Sequence, residues 1–279
     1  ANDRHGRYTV PSPHLYPHQW AWDSAFAAIG WAHLDLDRAL TELECLLGGA
    51  WPDGRVPHIL FHDRDGTYFP GPDFWGTEWT SSITQPPAWA IALRRLHALG
   101  ADPARLAALI APIDASHRFF HKQRDPLRMH AVAVVHPWES GLDNSPAWDR
   151  PMQAVDPAAA PAFKRVDKER VDDADQRPTD TEYKRYAALV KGIADDDFGP
   201  GAFAVYDPLM TSLLVRAEDD LAHVAEALGV ETAAADRAVV LRAGLEGLYD
   251  EALGRYGFLD ARAERFEQPD VLAAYAPLI

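Results

Sequence analysis

Apolar positions recurring at three- and four-residue spacing dominate the chain, the signature of helices that bury one face. The clearest run is residues 207–228, where Leu209, Leu213, Leu214, Ala217, Leu221, Val224, Ala225 and Leu228 share a stripe. Asp207-Pro208 supplies a cap followed by a proline at the first helical position, and Gly229 supplies the stop. Asp102-Pro103 repeats that punctuation and opens a helix to about Gln123, while Thr179 and Glu182 have capping-box spacing and open one to about Lys191. Further helices are predicted over 22–33, 37–48, 85–99 and 232–253, seven long helices in all. The connections 50–84 and 125–178 are much longer than bundle loops usually are, which marks them as functional. Val56–Phe61 and Ala131–Val135 read as short β-segments inside those loops, and the class is mainly α.

Composition narrows the partners. With 47% hydrophobic residues over 279 positions the chain buries a sizeable core, and disorder is excluded as its main state. Forty-two acidic against 27 basic residues give a net charge of −15, which repels phosphate backbones and anionic membranes and favours a small or neutral ligand. One cysteine, Cys45, permits neither an internal disulfide nor a thiolate zinc site, so a cytoplasmic setting is expected. No signal peptide or membrane span is expected. The absence of an initiator methionine, with a dense aromatic motif so near the start, suggests a fragment. Residues 164–182 carry 12 charges in 19 positions and read as a solvated segment or as a mobile lid.

All nine tryptophans lie within the first 148 residues, several in loops beside carboxylates and amides. Indole faces stack on sugar C–H faces while neighbouring Asp, Asn and Gln hold hydroxyls; the competing reading is that large aromatics fill helix junctions. Core filling is the reading for Trp31 and Trp89, inside helical patterns, and a ligand platform for Trp20, Trp22 and Trp138. Three clusters stand out: Tyr16-Pro17-His18-Gln19-Trp20-Ala21-Trp22-Asp23, where Asp23 also suits an N-cap; Ser81 to Pro87, with Gln85 at its edge; and His136 to Asp149. In the last, Glu139, Asp143 and Asp149 crowd between Trp138 and Trp148, an environment that raises a carboxyl pKa toward that of a usable general acid. A surface turn over Asp143-Asn144-Ser145-Pro146 fits equally well. His58/His62 and His117/His121 have i, i+4 spacing, yet neither forms H-E-x-x-H and no third ligand is evident, so no metal and no cofactor are expected. Nucleophile-elbow, phosphate-loop and dinucleotide motifs are absent.

Gln19-Trp20-Ala21-Trp22-Asp23-Ser24-Ala25-Phe26, Pro57-His58-Ile59, Ile83-Thr84-Gln85-Pro86-Pro87 and above all Trp138-Glu139-Ser140-Gly141-Leu142-Asp143-Asn144-Ser145-Pro146 resemble glycoside hydrolase family 63, in its mannosylglycerate and glucosylglycerate hydrolase branch. Arg177-Pro178-Thr179-Asp180, Tyr183 and Asp207-Pro208 extend the likeness along nearly the whole chain. The resemblance implies an all-α, (α/α)6 toroid of twelve helices and an inverting mechanism on a small α-glycoside. Asp143 matches the general acid, and Tyr16, Trp20, Asp23, Gln85, Trp138 and Gly141 match sugar-subsite positions. Gln19 and Trp22, within the first motif, complete the candidate set, and Glu139 is a secondary acid candidate. Seven helices fall short of twelve, so residues 1–279 are expected to form one truncated domain with the catalytic base beyond Ile279; Glu264, Glu267 and Asp270 carry only charge to commend them. A trehalase-like or debranching enzyme on the same toroid, and a non-catalytic sugar-binding toroid, are the alternatives. A glycerate carboxylate would call on Arg177, Lys184 or Arg185.

Overall fold

The computed structural model describes residues 2–63, 68–171, 173, 175, 177–196 and 201–278, so part of the charged segment 164–182 and the terminal Ile279 lie outside the described residues. The architecture is mainly α-helical. In chain order come β1 (Asp3–Arg4), β2 (Tyr8–Thr9), β3 (Gln19–Trp20), α1 (Ala21–Trp31), α2 (Leu36–Leu47), β4 (Ile59–Leu60) and the single turn α3 (Pro72–Trp75). They are followed by α4 (Trp89–Ala98), α5 (Pro103–Gln123), β5 (Ala133–Val134), α6 (Asp180–Asp195), β6 (Val205–Tyr206) and α7 (Pro208–Leu228). The chain ends with α8 (Ala234–Glu246), β7 (Tyr249–Asp250), β8 (Arg255–Tyr256), β9 (Phe258–Asp260), β10 (Arg265–Glu267) and a 3-10 turn, Leu272–Leu278.

Local chemistry sets the helix ends. The Asp102, Thr179 and Asp207 side chains accept from first-turn N–H groups of α5, α6 and α7, and Thr179 with Glu182 closes a full capping box. Gly229 ends α7 at φ 68°. Two expectations are corrected. The helix predicted over 232–253 stops at Glu246, because a β7–β8 hairpin follows. The helix predicted from 85 begins only at Trp89, since Pro86-Pro87 lack the N–H groups and torsional freedom to extend it backward.

Helix α1 packs on α2 and α4, and α7 packs on α4, α5 and α8. Leu40, Leu43, Leu93, Leu96, Ile110, Leu214, Leu221 and Val224 fill the space between them. Trp89 is fully buried there, as the helical pattern implied, and Trp31 packs at the edge of the same core. The short strands act as ties. Strand β5 is not confined to a hairpin in its own loop: it joins a four-stranded antiparallel sheet in the order β10-β9-β6-β5. The β3–β4 pair sets Trp20 opposite Ile59 and Gln19 opposite Leu60. Among the described residues no helix is long and apolar enough to cross a membrane.

Candidate active site

Backbone pairing draws the three clusters together. Besides the β3–β4 ladder, His58 N–H donates to Ile83 O (2.8 Å) and Ser81 N–H to Ile59 O (3.0 Å), so residues 81–85 run beside 58–60. Helix α1 starts against both: Ala21 N–H donates to His58 O (3.0 Å) and Trp22 N–H to the Gln85 side-chain oxygen (3.2 Å). Donors that a helix N-terminus leaves unpaired thus become the joint between two loops. Asp23 lies in the first turn of α1 rather than capping it, since the helix begins at Ala21.

The third cluster is fixed by Glu139. This wholly buried carboxylate pairs with Arg124 (2.7 Å to Nη2) and accepts from Thr84 N–H (3.1 Å) and Val135 N–H (2.9 Å). It therefore holds the 3-10 turn Pro137–Ser140 against the Gln85 loop, with no oxygen left to serve a substrate. Past that turn Gly141 adopts φ 69°, and an added Cβ would sit 2.5 Å from Trp22 Cζ2. The position favours glycine, because the backbone turns left-handed directly over the indole. Leu142 N–H then donates to Ser140 Oγ (2.9 Å), and Trp148 Nε1–H donates to Leu142 O (2.8 Å).

A cavity of about 210 Å3 opens at this junction. Of the candidate residues, Tyr16, Trp20, Trp22, Asp23, Gln85, Trp138, Gly141 and Asp143 all line it, joined by His58, Tyr68, Asn144, Asp167, Arg177 and Tyr183. Its aromatic wall interlocks: Tyr16 meets Trp20 edge-on (5.3 Å), Trp20 meets Tyr68 (5.6 Å) and Trp138 lies 6.0 Å from Tyr183. Gln19 is the departure. Its side chain turns away from the cavity to Ser24 Oγ (3.0 Å) and His62 Nε2 (2.7 Å), inside a network centred on buried Glu42. Successive strand residues face opposite sides, so Trp20 reaches the cavity only by sending Gln19 inward.

Asp143 is an exposed residue on the cavity wall, and the protein packed around its carboxyl pushes it up to about 6 against the pull of Arg177. A group titrating there keeps a proton to deliver near neutrality. Burial also raises Asp23, the second carboxyl on the wall. Asp167, the third, is lowered: hydrogen bonds from Arg165 and Arg177 outweigh its burial. Of the basic candidates Arg177 lines the cavity, Arg185 lines only an adjoining one, and Lys184 is exposed. Glu264, Glu267 and Asp270 are absent from the cavity wall, Glu267 being paired with Arg265 and Asp270 with Arg255.

The histidine pairs have ordinary partners. His58 Nδ1 bonds Ser81 Oγ (2.7 Å), and His117 and His121 both meet Glu218, which Arg237 also holds. Tyr68 was not singled out from sequence, and Tyr183 only through the resemblance. The i, i+3 tyrosines Tyr183 and Tyr186 on α6 were the available signal, since that spacing puts both on one face.

Residues 16–279 match the family described as mannosylglycerate hydrolase MGH1-like glycoside hydrolase domain. The mannosylglycerate hydrolase of Thermus thermophilus is 39% identical over 290 residues, covering 98% of this chain and 70% of that protein. The glucosylglycerate hydrolase of Mycolicibacterium hassiacum is 35% identical over 303 residues, 98% of this chain and 68% of that protein. A crystal structure of GH63 mannosylglycerate hydrolase from Thermus thermophilus in complex with Tris and D-glycerate superposes with a TM-score of 0.93 at 39% identity, covering 99% of this chain and 70% of that one. A cavity built from the Trp20, Gln85 and Asp143 segments and a likeness that runs through all three place the chain: it belongs to the mannosylglycerate hydrolase MGH1-like glycoside hydrolase family.

Proposed function

We propose that the protein is an inverting glycosidase that hydrolyses a hexosyl glycerate, with Asp143 as the acid that protonates the departing glycerate oxygen. The observation that carries this reading is one carboxyl held near pKa 6 on the wall of an aromatic cavity. A sugar needs faces to stack on, which Trp20, Trp22 and Trp138 provide, and hydroxyl partners, which Gln85 and Asp23 provide. The aglycone is the anionic part of such a substrate. Arg177 meets that need: it lines the cavity beside Asp143, and its Nε is anchored by Asp167 at 3.1 Å. Support for a glycerate glycoside also comes from the relatives, named mannosylglycerate and glucosylglycerate hydrolases, and from the D-glycerate in one related crystal structure.

Inversion requires a second carboxylate about 6.5–9.5 Å from the acid to activate water on the opposite ring face. The chain spans 70% of the Thermus thermophilus relative, and we assign that base, with the remaining helices of an (α/α)6 toroid, to the portion not spanned. The seven long helices would then be about seven of twelve in a single domain, and residues 1–279 alone would not turn over. Incubating the full-length protein with mannosylglycerate, glucosylglycerate, trehalose and a maltooligosaccharide, and following the first anomer released by NMR, tests the whole reading. Release of the inverted sugar from a glycerate glycoside is expected. Preference for trehalose or the oligosaccharide, or retention of configuration, would overturn it, as would turnover by a monodisperse 1–279 monomer.

A further inference from the structure

Tyr186 lies one helical turn beyond Tyr183 on α6 and does not line the sugar cavity, yet it touches the acid's loop. Its hydroxyl lies 2.9 Å from Asp143 O and 3.2 Å from Asn144 Oδ1, and donates to them. Its own carbonyl faces His136 Nε2 at 3.2 Å, while His136 Nδ1 accepts from Trp138 N–H at 3.1 Å. Only one proton arrangement satisfies both ring contacts: a neutral imidazole with its proton on Nε2. Burial of His136, which pushes its pKa down to about 3, keeps it in that form. The circuit therefore runs from the backbone of the acid, through one tyrosine and one histidine, to the backbone of the Trp138 platform. Both ends meet on α6, whose start is fixed by the Thr179–Glu182 capping box.

We propose that Tyr186, with His136, is a positioning residue that sets the distance between the Asp143 carboxyl and a sugar stacked at Trp138. The proposal rests on Asp143 being the acid. Gly141, left-handed at φ 69°, begins a stretch without regular structure, and among the described residues two side chains hold the carbonyls that follow it, Trp148 Nε1 at Leu142 O and Tyr186 Oη at Asp143 O. Removing the second frees the residue that carries the acid while leaving Trp20, Trp22 and Gln85 in place. An acid displaced by a fraction of an ångström still binds nothing differently in the ground state; it fails where the proton must travel.

The test is Tyr186→Phe in the full-length enzyme, compared on a natural glycerate glycoside and on an aryl glycoside whose phenolate leaves without protonation. We expect kcat on the natural substrate to fall about 10-fold with KM changed less than about 2-fold, and the aryl glycoside to be nearly unaffected. The alkaline limb of the pH profile should move to lower pH, because a loosened Asp143 loses part of the packing that raises its carboxyl, and its pKa falls toward that of an ordinary carboxyl. Equal losses on both substrates, or wild-type kinetics, would overturn the proposal. Trp148→Phe, which removes the indole N–H at Leu142 O together with part of a buried ring packed against Phe203 and Phe258, provides a second variant should Tyr186→Phe fold poorly, with some loss of thermal stability and the same dependence on leaving group expected. Asp143→Asn run in parallel separates the two readings. If that variant keeps full turnover the acid assignment fails, whereas if it is inactive and the loop variants show no leaving-group dependence, only the clamp fails.

Discussion

Gly141→Ala isolates the contact on which the site's shape depends. Two costs arise. A non-glycine residue at φ 69° loses about 1–2 kcal/mol in the left-handed region. The new methyl carbon would also stand 2.5 and 2.6 Å from Trp22 Cζ2 and Cη2, far inside van der Waals contact. If the indole is held, overpacking adds about 1–3 kcal/mol. Trp22 is only half-buried and meets Phe26 edge-on at 5.9 Å, while its backbone is tied to Gln85, so the ring rather than the loop gives way. The stability loss should stay near the lower figure while the sugar wall is displaced. Gly100→Ala is the control: its φ is 83° but nothing lies within 4 Å of an added Cβ, so it carries the backbone cost alone. Thermal melting should place the two variants within a few degrees of each other, at about 2–4 °C per kcal/mol. Glucose titrated against tryptophan fluorescence should bind Gly100→Ala normally and Gly141→Ala at least about 10-fold more weakly, the equivalent of 1.4 kcal/mol. Equal sugar affinity in the two variants would refute the argument that Gly141 exists to let the chain pass over Trp22.

Asp143→Asn should lower kcat at least about 100-fold on a natural glycoside while sugar affinity is retained, and wild-type turnover would remove the acid assignment. Neutralising Arg177, as Arg177→Gln, should raise KM for a glycerate glycoside more than for an uncharged aryl glycoside; equal effects on both would dissociate it from the aglycone. Burial pushes the Asp207 carboxyl up to about 7, and its Oδ2 has no partner among the described residues. The native state therefore keeps a proton that the unfolded chain releases above about pH 4, and this contribution to stability is full below that pH and lost as pH rises toward 7, by at most about 1.4 kcal/mol per unit. Asp207→Asn preserves the cap at Leu209 N–H (2.8 Å) and should flatten the melting temperature between pH 4 and 7; an unchanged slope would rule Asp207 out as its source.

Helix ends were legible where the signal is local. Asp207-Pro208 and Gly229 bound α7 as read, because caps, proline and a left-handed glycine act within a few residues. The error at α8 has a long-range cause. Leu245, Leu248 and Leu253 continue a helical spacing past Glu246, but the backbone at Met129 and His130 crosses there: a Cβ at Gly244 would lie 2.0 Å from His130 O. No window of sequence contains that crossing. The same limit hid the four-stranded sheet, whose strands of two or three residues come from positions as far apart as 133 and 267. Site residues were readable as types in loops, but not their facing. The Gln19-Trp20 pair looked like two ligands, and the alternation of the strand sends one to the cavity and the other to Glu42.

Glu139, Asp143 and Asp149 stood together in one eleven-residue stretch, and their surroundings now separate them. Glu139 meets a guanidinium and two backbone N–H groups in a fully buried site, so both its oxygens are taken up by the protein and neither faces the cavity. Asp149 is exposed on the adjoining cavity, raised by burial and by the nearby Glu182, and does not reach the sugar wall. Of the three, Asp143 alone combines a face on the aromatic cavity with a carboxyl pushed up to about 6 by the protein around it. Paired titratable groups whose environments diverge mark how acid–base roles are divided. Here the division also explains why an ion pair without a face on the cavity adjoins Asp143. Arg124 and Glu139 clamp the turn that launches Trp138 and, two residues past Glu139, the left-handed Gly141 that carries the chain over Trp22 to Asp143. Breaking a buried pair on one side leaves an uncompensated charge, so Glu139→Ala should cost about 3–5 kcal/mol and be lost to folding before it reports on catalysis. A folded, cooperative Glu139→Ala enzyme with wild-type stability and kcat would refute the clamp.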